Sequence, residues 1–298
     1  MKLIILSAGK GLRLGNLTLN TPKILMDLGD GRTLLETHFQ NITKSGVIDK
    51  IVIVTGYLGE QIDAKILKYK MEGTNIKTIK NPFYDFSNNL ISLWLAKNEM
   101  DEDFIITNGD NLFEPRVFAD LVNKNKEGIF LTISKHKIGK ILDDDMKVIL
   151  GEGVERVSKQ IPNNEAHGES VGLALVSGDK YRRLFREILE ELATDQRNIN
   201  SFWLEIFNRA SERGIIIKPF EINGAVDWKE IDFHGDLERL LHFLRSGRQQ
   251  SLKGNQDSQP TPKEVKLDNQ EVKKEGSFEN EVEDILRNIT RDLASSKH

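Results

Sequence analysis

The chain has 298 residues, enough for one large or two small domains at about 100 to 200 residues each. Hydrophobic residues make up 38%, and 23 glycines bring the apolar share to about 46%, which excludes collagen-like, wholly disordered and membrane classes. With 42 Lys plus Arg against 46 Asp plus Glu, the net charge of -4 argues against sequence-independent binding to nucleic acid, and zero cysteines remove disulfides, cysteine zinc sites and thiol nucleophiles.

In chain order, Leu3 to Leu6 is a short apolar run that ends in Ser-Ala-Gly-Lys-Gly, so a buried first strand opening into a glycine loop is predicted. That run is too short for the apolar region of a signal peptide, and no run approaches the roughly 20 residues of a membrane span. A cytoplasmic protein with no membrane span is therefore expected. Thr33-x-x-Glu36 reads as a capping box for a helix carrying Leu34, Leu35, Phe39 and Ile42, stopped by Gly46. Strands at Ile51 to Val54, Asn75 to Ile79 and Phe104 to Thr107 follow, with helices at Leu58 to Lys70 and about Asn89 to Glu99 between them. The alternation predicts an α/β fold with a mostly parallel mixed sheet and helices on both faces. Ligands of such Rossmann-like sheets bind at the carboxyl ends of the strands, where the polar clusters Ser7 to Arg13 and Thr107 to Asn111 fall.

The second half is richer in strands: Ile129 to Ser134, Lys147 to Leu150, Val154 to Ser158, Val171 to Val176 and Gly214 to Ile222. It is expected to add antiparallel strands and a substrate-facing wall. A helix from about His234 to Leu244 closes a catalytic domain over residues 1–244. From Arg245 to Ser277 almost nothing apolar is available to bury, which predicts a disordered linker. Phe278, Val282, Ile285, Leu286, Ile289 and Leu293 then recur at helical spacing, so 278–298 is predicted as an amphipathic helix. Docking on its own domain and a homo-oligomer or partner contact are its two readings.

The strongest chemical signal is Ser7-Ala8-Gly9-Lys10-Gly11-Leu12-Arg13, followed by Thr21-Pro22-Lys23. Two glycines after a buried strand let backbone N–H groups approach a phosphate chain, and Arg13 and Lys23 supply positive charge. The third glycine of the dinucleotide fingerprint is missing, because Leu14 stands there, and the Gly-Lys-Ser/Thr of a P-loop is absent. Asp110, in Thr107-Asn108-Gly109-Asp110-Asn111, lies just past a buried strand, where a carboxylate suits Mg²⁺. If Val226-Asp227-Trp228-Lys229-Glu230-Ile231-Asp232 is a strand, Trp228, Glu230 and Asp232 share a face, with Asp232 as a second carboxylate.

This combination resembles the nucleoside-triphosphate transferase family, the sugar-phosphate nucleotidyltransferases and their relatives, which implies a GT-A-like fold. The finer resemblance is to its phosphocholine cytidylyltransferase branch. It rests on Val54-Thr55-Gly56-Tyr57, Asn81-Pro82-Phe83-Tyr84, Asn88-Asn89-Leu90-Ile91-Ser92-Leu93, Gly168-Glu169-Ser170-Val171-Gly172 and the Trp-x-Glu-Ile-Asp element. The resemblance implies that Ser7, Ala8, Gly9 and Gly11 wrap the nucleotide with Asn88 and Gly109, and that Arg13 and Lys23 hold its phosphates. It gives Asp110 and Asp232 the Mg²⁺, and makes Lys23, Arg13, Asp110 and Asp232 the catalytic set. Asn89, Lys159, Glu169, Trp228 and Glu230 become candidates for the acceptor.

The implied reaction joins CMP from CTP to a small phosphorylated or phosphonylated amine or alcohol with release of pyrophosphate, in the service of cell-surface polymer decoration. Phosphocholine is the first acceptor; 2-aminoethylphosphonate, phosphoethanolamine, inositol 1-phosphate and a sugar 1-phosphate are the others. A glycosyltransferase of similar topology and a non-catalytic nucleotide-binding regulatory protein are the competing readings. No histidine shows metal-ligand spacing. Ten basic residues offset ten acidic ones from Arg245 onward, so the -4 belongs to the catalytic domain and positive charge is expected to concentrate near Arg13 and Lys23.

Overall fold

A computed structural model describes residues 1–29, 31–124, 126–135 and 141–231. Asp232, the helix expected near His234 to Leu244, the 245–277 linker and the 278–298 helix lie outside the described residues.

The first half follows the apolar pattern closely. Strand β1 (Lys2–Ser7), helix α1 (Leu34–Ser45), β2 (Lys50–Thr55), α2 (Gly59–Met71), β3 (Ile76–Lys80), α3 (Asn89–Leu95) and β4 (Phe104–Asn108) alternate as expected. Thr33 and Glu36 form the capping box at the start of α1, and Gly46 ends it in a left-handed conformation. Helix α3 is shorter than its apolar pattern suggests: the helix ends at Leu95 and a separate 3₁₀ turn covers Lys97–Glu99.

Beyond β4 come β5 (Asn111–Phe113), α4 (Pro115–Asn123), β6 (Gly128–Ser134), β7 (Lys147–Leu150), β8 (Val154–Ser158), β9 (Gly168–Ser177), α5 (Asp179–Thr194), α6 (Glu205–Glu212), β10 (Ile217–Ile222), the single turn α7 (Gly224–Asp227) and β11 (Trp228–Glu230). Helices α4, α5 and α6 add to those expected. In α5 the buried Phe185, Ile188, Leu189 and Leu192 repeat at helical spacing, a signal present in the sequence. Two corrections concern site residues. Val226 and Asp227 belong to α7, so among the described residues the strand expected across 226–232 is Trp228–Glu230. Strand β9 starts at Gly168 and not at Val171, so Glu169 lies within it and is buried.

The main sheet runs in the order β10-β6-β9-β4-β1-β2-β3. Strands β3, β2, β1 and β4 are parallel, β9 is antiparallel to both β4 and β6, and β10 pairs parallel with β6. Both faces are covered. Ile4 and Leu6 of β1 join a core with Leu90, Leu93, Phe185, Trp203 and Phe207, while Leu3 and Ile5, on the opposite side of the pleat, are also fully or nearly fully buried. Each such side chain contributes about 1.5 to 3 kcal/mol on burial, so this core fixes the strand ends from which the functional loops leave. Among the described residues, no helix is long and apolar enough to cross a membrane.

Candidate active site

Because β1, β2 and β4 run parallel, their carboxyl ends meet along one edge of the sheet, and a cleft of about 640 Å³ opens there. It is lined by Ser7, Ala8, Gly9, Gly11, Arg13 and Lys23 from the first loop, Asn88 and Asn89 at the start of α3, and Gly109 and Asp110 after β4. Lys159, Glu169, Trp228 and Glu230 line it too, so all the candidate residues within the described chain share one cavity. Asp232 lies outside the described residues.

The first loop is shaped by two different glycines. Gly11 sits at φ +65, and a Cβ there would stand 3.1 Å from Thr18 Cγ2 and 3.3 Å from Lys23 Cβ. Its need for glycine is internal. A Cβ on Gly9 would meet nothing within 4 Å, so the protein itself leaves that space open to a ligand. Gly11→Ala is therefore expected to destabilise the fold by about 1 to 2 kcal/mol. Gly9→Ala should melt with wild-type stability yet bind nucleotide more weakly. Thermal denaturation and calorimetric titration with CTP check the pair, and equal melting temperatures for both variants would contradict the assignment.

Lys23 is delivered by a 3₁₀ turn that starts behind Pro22, and its Nζ lies 2.8 Å from Asp110 Oδ2. The other Asp110 oxygen, Oδ1, is buried with no hydrogen-bond partner. Beneath this loop, His38 on α1 is buried with Nε2 3.1 Å from the Gly109 carbonyl, to which it must donate. Burial pushes the His38 imidazole down to about 4, so it is neutral and holds the loop rather than titrating near pH 7. Sequence reasoning assigned His38 no role, and its only signal was a polar residue on the apolar side of α1.

Other candidates have structural partners. Asn88 Oδ1 accepts from Asn89 N at 2.7 Å as the cap of α3, and its Nδ2 donates to the Asn200 carbonyl at 3.2 Å. Asn89 Oδ1 accepts the Trp203 backbone N–H at 2.9 Å, so both asparagines build the cleft wall. Trp228 donates its indole N–H to Asn111 Oδ1 at 2.9 Å. The aromatic residues Phe202 and Trp203, the turn residues Asp144 and Asp145, and the Lys10–Asp85 pair also line the cleft. Phe202, Trp203, Asp144 and Asp145 lie far along the chain from the motifs, whereas Lys10 and Asp85 sit in or beside them and only their pairing across the cleft was hidden.

The expected concentration of positive charge is corrected by the lining. Among the described residues it holds six carboxylates, Asp85, Asp110, Asp144, Asp145, Glu169 and Glu230, against four cations, Lys10, Arg13, Lys23 and Lys159. Every one of those cations contacts a carboxylate. Asp144 bridges Arg13 at 3.0 Å and Lys159 at 2.5 Å, and the Lys159 hydrogen bond chiefly holds its carboxyl below the ordinary range. A polyphosphate entering this cleft must exchange these carboxylates for its own oxygens and must bring compensating cations with it.

The residues present fit Mg²⁺. It takes hard oxygen ligands, keeps several waters and uses one or two carboxylates plus phosphate oxygens. The buried, unpartnered Oδ1 of Asp110 supplies such an oxygen, in a lining already short of positive charge.

The comparisons with known proteins agree with this geometry. Residues 2–136 match the family model described as nucleotidyl transferase. The choline-phosphate cytidylyltransferase of Streptococcus pneumoniae is 32% identical over 148 residues, which is 50% of this chain and 62% of that enzyme. The CTP:phosphoglutamine cytidylyltransferase of Campylobacter jejuni is 27% identical over 257 residues, covering 80% of this chain and 98% of that one. The solved structure of the CTP:phosphocholine cytidylyltransferase from S. pneumoniae superposes with a TM-score of 0.63 at 22% identity, over 82% of this chain and 98% of the other, and shows the same fold. The segment matched by the family model contains the glycine loop, Lys23 and Asp110 that meet in the cleft, so it is this part of the chain that is similar to the nucleotidyl transferases.

Proposed function

We propose that this chain transfers CMP from CTP to a small phosphorylated or phosphonylated acceptor and releases pyrophosphate. The observation that carries the reading is the Asp110 carboxylate at the mouth of β4, with one oxygen on Lys23 and the other buried without a partner, beside a glycine loop with open space over Gly9. The relatives' use of CTP supports the choice of nucleotide.

The reaction forms a bond from an acceptor oxygen to the α-phosphorus and breaks the bond from that phosphorus to the bridging oxygen of pyrophosphate. A phosphomonoester has its second pKa near 6, so it is largely dianionic at pH 7 and requires no general base. What the chain supplies is position and charge. In this reading the Gly9 backbone approaches the triphosphate, Arg13 and Lys23 bind its oxygens, and Lys159 orients the acceptor phosphate. Asp110, with Glu230 in the same lining, would hold Mg²⁺, and Asp232 is the second carboxylate that the resemblance implies; the ion when bound neutralises charge on the phosphates.

For the acceptor's other end, the carboxylates Glu169 and Glu230 and the face of Trp228 suit a cationic group. Phosphocholine is the first choice on that chemistry, ahead of 2-aminoethylphosphonate and phosphoethanolamine. The test is pyrophosphate release from each of the four nucleoside triphosphates with Mg²⁺ and a panel of phosphorylated amines, alcohols and sugars. CTP with a cationic acceptor is expected to lead, and uncharged acceptors are expected to trail through higher KM. Release with UTP or ATP but not CTP would overturn the nucleotide, and no release with any pair would overturn the reaction.

A further inference from the structure

The segment that carries Asp110 is gripped from both sides by tryptophan. Asn108 and Asn111 flank it, and each uses its side-chain oxygen to accept an indole N–H. Trp203 donates to Asn108 at 3.0 Å and Trp228 donates to Asn111 at 2.9 Å. An indole has one donor and no acceptor, so each of these bonds uses the whole polar capacity of its ring. Trp203 is fully buried and Asn111 is 1% exposed, so neither asparagine–indole bond is easily replaced by water at those atoms.

Gly172 completes the grip. It sits in β9 at φ +67, and a Cβ there would fall 2.7 Å from Asn111 Nδ2 and 2.9 Å from Asn108 Nδ2. Only glycine lets the sheet close on both amides. The backbone is tied as well: Gly109 N donates to the Leu6 carbonyl at 2.8 Å, and Ile231 N donates to the Asp110 carbonyl at 3.0 Å. Amid these fixed groups, the Asp110 Oδ1 atom has no partner at all.

We propose that Trp203 and Trp228 are positioning residues for the divalent-cation site, acting through Asn108 and Asn111 to pre-set the Asp110 carboxylate. Trp228 has a second consequence. Its ring lines the cleft where the acceptor is placed, so the wall that meets the acceptor is hydrogen-bonded to the segment that holds the cation. The inference rests on the reading of Asp110 as a cation ligand.

Trp228→Phe keeps a smaller aromatic face and removes the donor. In the full chain with CTP present and no acceptor, Mn²⁺ binding followed by electron paramagnetic resonance is expected to weaken about tenfold, the scale of a lost orienting partner around a metal. The Mg²⁺ concentration for half-maximal pyrophosphate release should rise in parallel and kcat should fall. Unchanged Mn²⁺ binding, with or without a higher acceptor KM, would show that Trp228 is only a wall and would overturn the proposal.

A merely structural bond is separated by the double variant Trp228→Phe/Asn111→Leu, which removes the orphaned acceptor along with its donor. Its melting temperature should recover while Mn²⁺ binding stays weak. Recovery of both together would mean that stability, and not positioning, was lost. Asp110→Asn is the control for the underlying reading. If that variant bound Mn²⁺ as the wild type does, Asp110 would not be the ligand, and the cation site and the proposal would fall together, whatever Trp228→Phe does.

Discussion

Asp110→Ala is expected to lower the rate of pyrophosphate release by about 10³-fold or more while the protein stays folded. The size follows from what the residue does in this reading. Its carboxylate is the cation ligand at the mouth of β4, and the lining already holds more carboxylates than cations, so the triphosphate cannot be neutralised by the chain alone. The fold should tolerate the change. Among the described residues Asp110 Oδ1 has no hydrogen-bond partner to lose, and Oδ2 bonds the half-buried Lys23 in the cleft lining. Removing a half-buried carboxylate with one buried, unmet oxygen relieves a desolvation penalty of about the size of the hydrogen bond it forfeits. Stopped-time pyrophosphate assays and a thermal melt check the two halves. Turnover within tenfold of wild type would remove Asp110 from the chemistry, and a variant that fails to fold would assign it to structure.

Much of this arrangement was legible in the residue order because the relevant signals are local. The apolar run Leu3 to Leu6 followed by Gly-Lys-Gly can be read within a dozen residues, and so can the capping box of Thr33 and Glu36 and the strand before Asp110. The distant wall of the site was not legible. Asp144 meets Arg13 across a separation of 131 residues, and Trp203 meets Asn108 across 95. No period or spacing carries such contacts, because they follow from how β9 inserts antiparallel between β4 and β6. Glu169 shows the same limit at a single residue. Its sequence neighbours mark only the approach of a strand, whereas its burial depends on lying opposite Lys147 on one side and Ser134 on the other.

Charge was the property that sequence counting handled least well. A net of -4 led to the expectation of a positive focus around Arg13 and Lys23, yet the cleft pairs each cation with a carboxylate. The pairing has a physical use. A lone lysine or arginine beside a glycine loop would bind any passing anion, whereas one already satisfied by aspartate yields only to a ligand that offers several phosphates at once, with cations to take over the displaced carboxylates. Asp144 serves Arg13 and Lys159 together, so in the proposed reading the nucleotide and acceptor sides of the cleft share one counter-ion.

Lys23→Ala tests that exchange through two effects of opposite sign. Lys23 Nζ bonds Asp110 Oδ2, so in the proposed reading the ammonium assigned to the triphosphate also competes with the cation for Asp110. Without the lysine, kcat/KM for CTP is expected to fall by about 10²-fold, the scale of a lost charged contact to a reacting phosphate. In the absence of nucleotide, Mn²⁺ should bind the variant severalfold more tightly than wild type, because a partly exposed charge pair no longer has to be broken. Lys23→Arg should not restore turnover. Lys23 places a compact ammonium 2.8 Å from Asp110 Oδ2, and a planar guanidinium presents its donors in a fixed fork instead of at that one point. If Lys23→Ala weakened Mn²⁺ binding in the nucleotide-free protein, Lys23 would be supporting Asp110 rather than competing for it, and the exchange would not be how this cleft accepts its substrate.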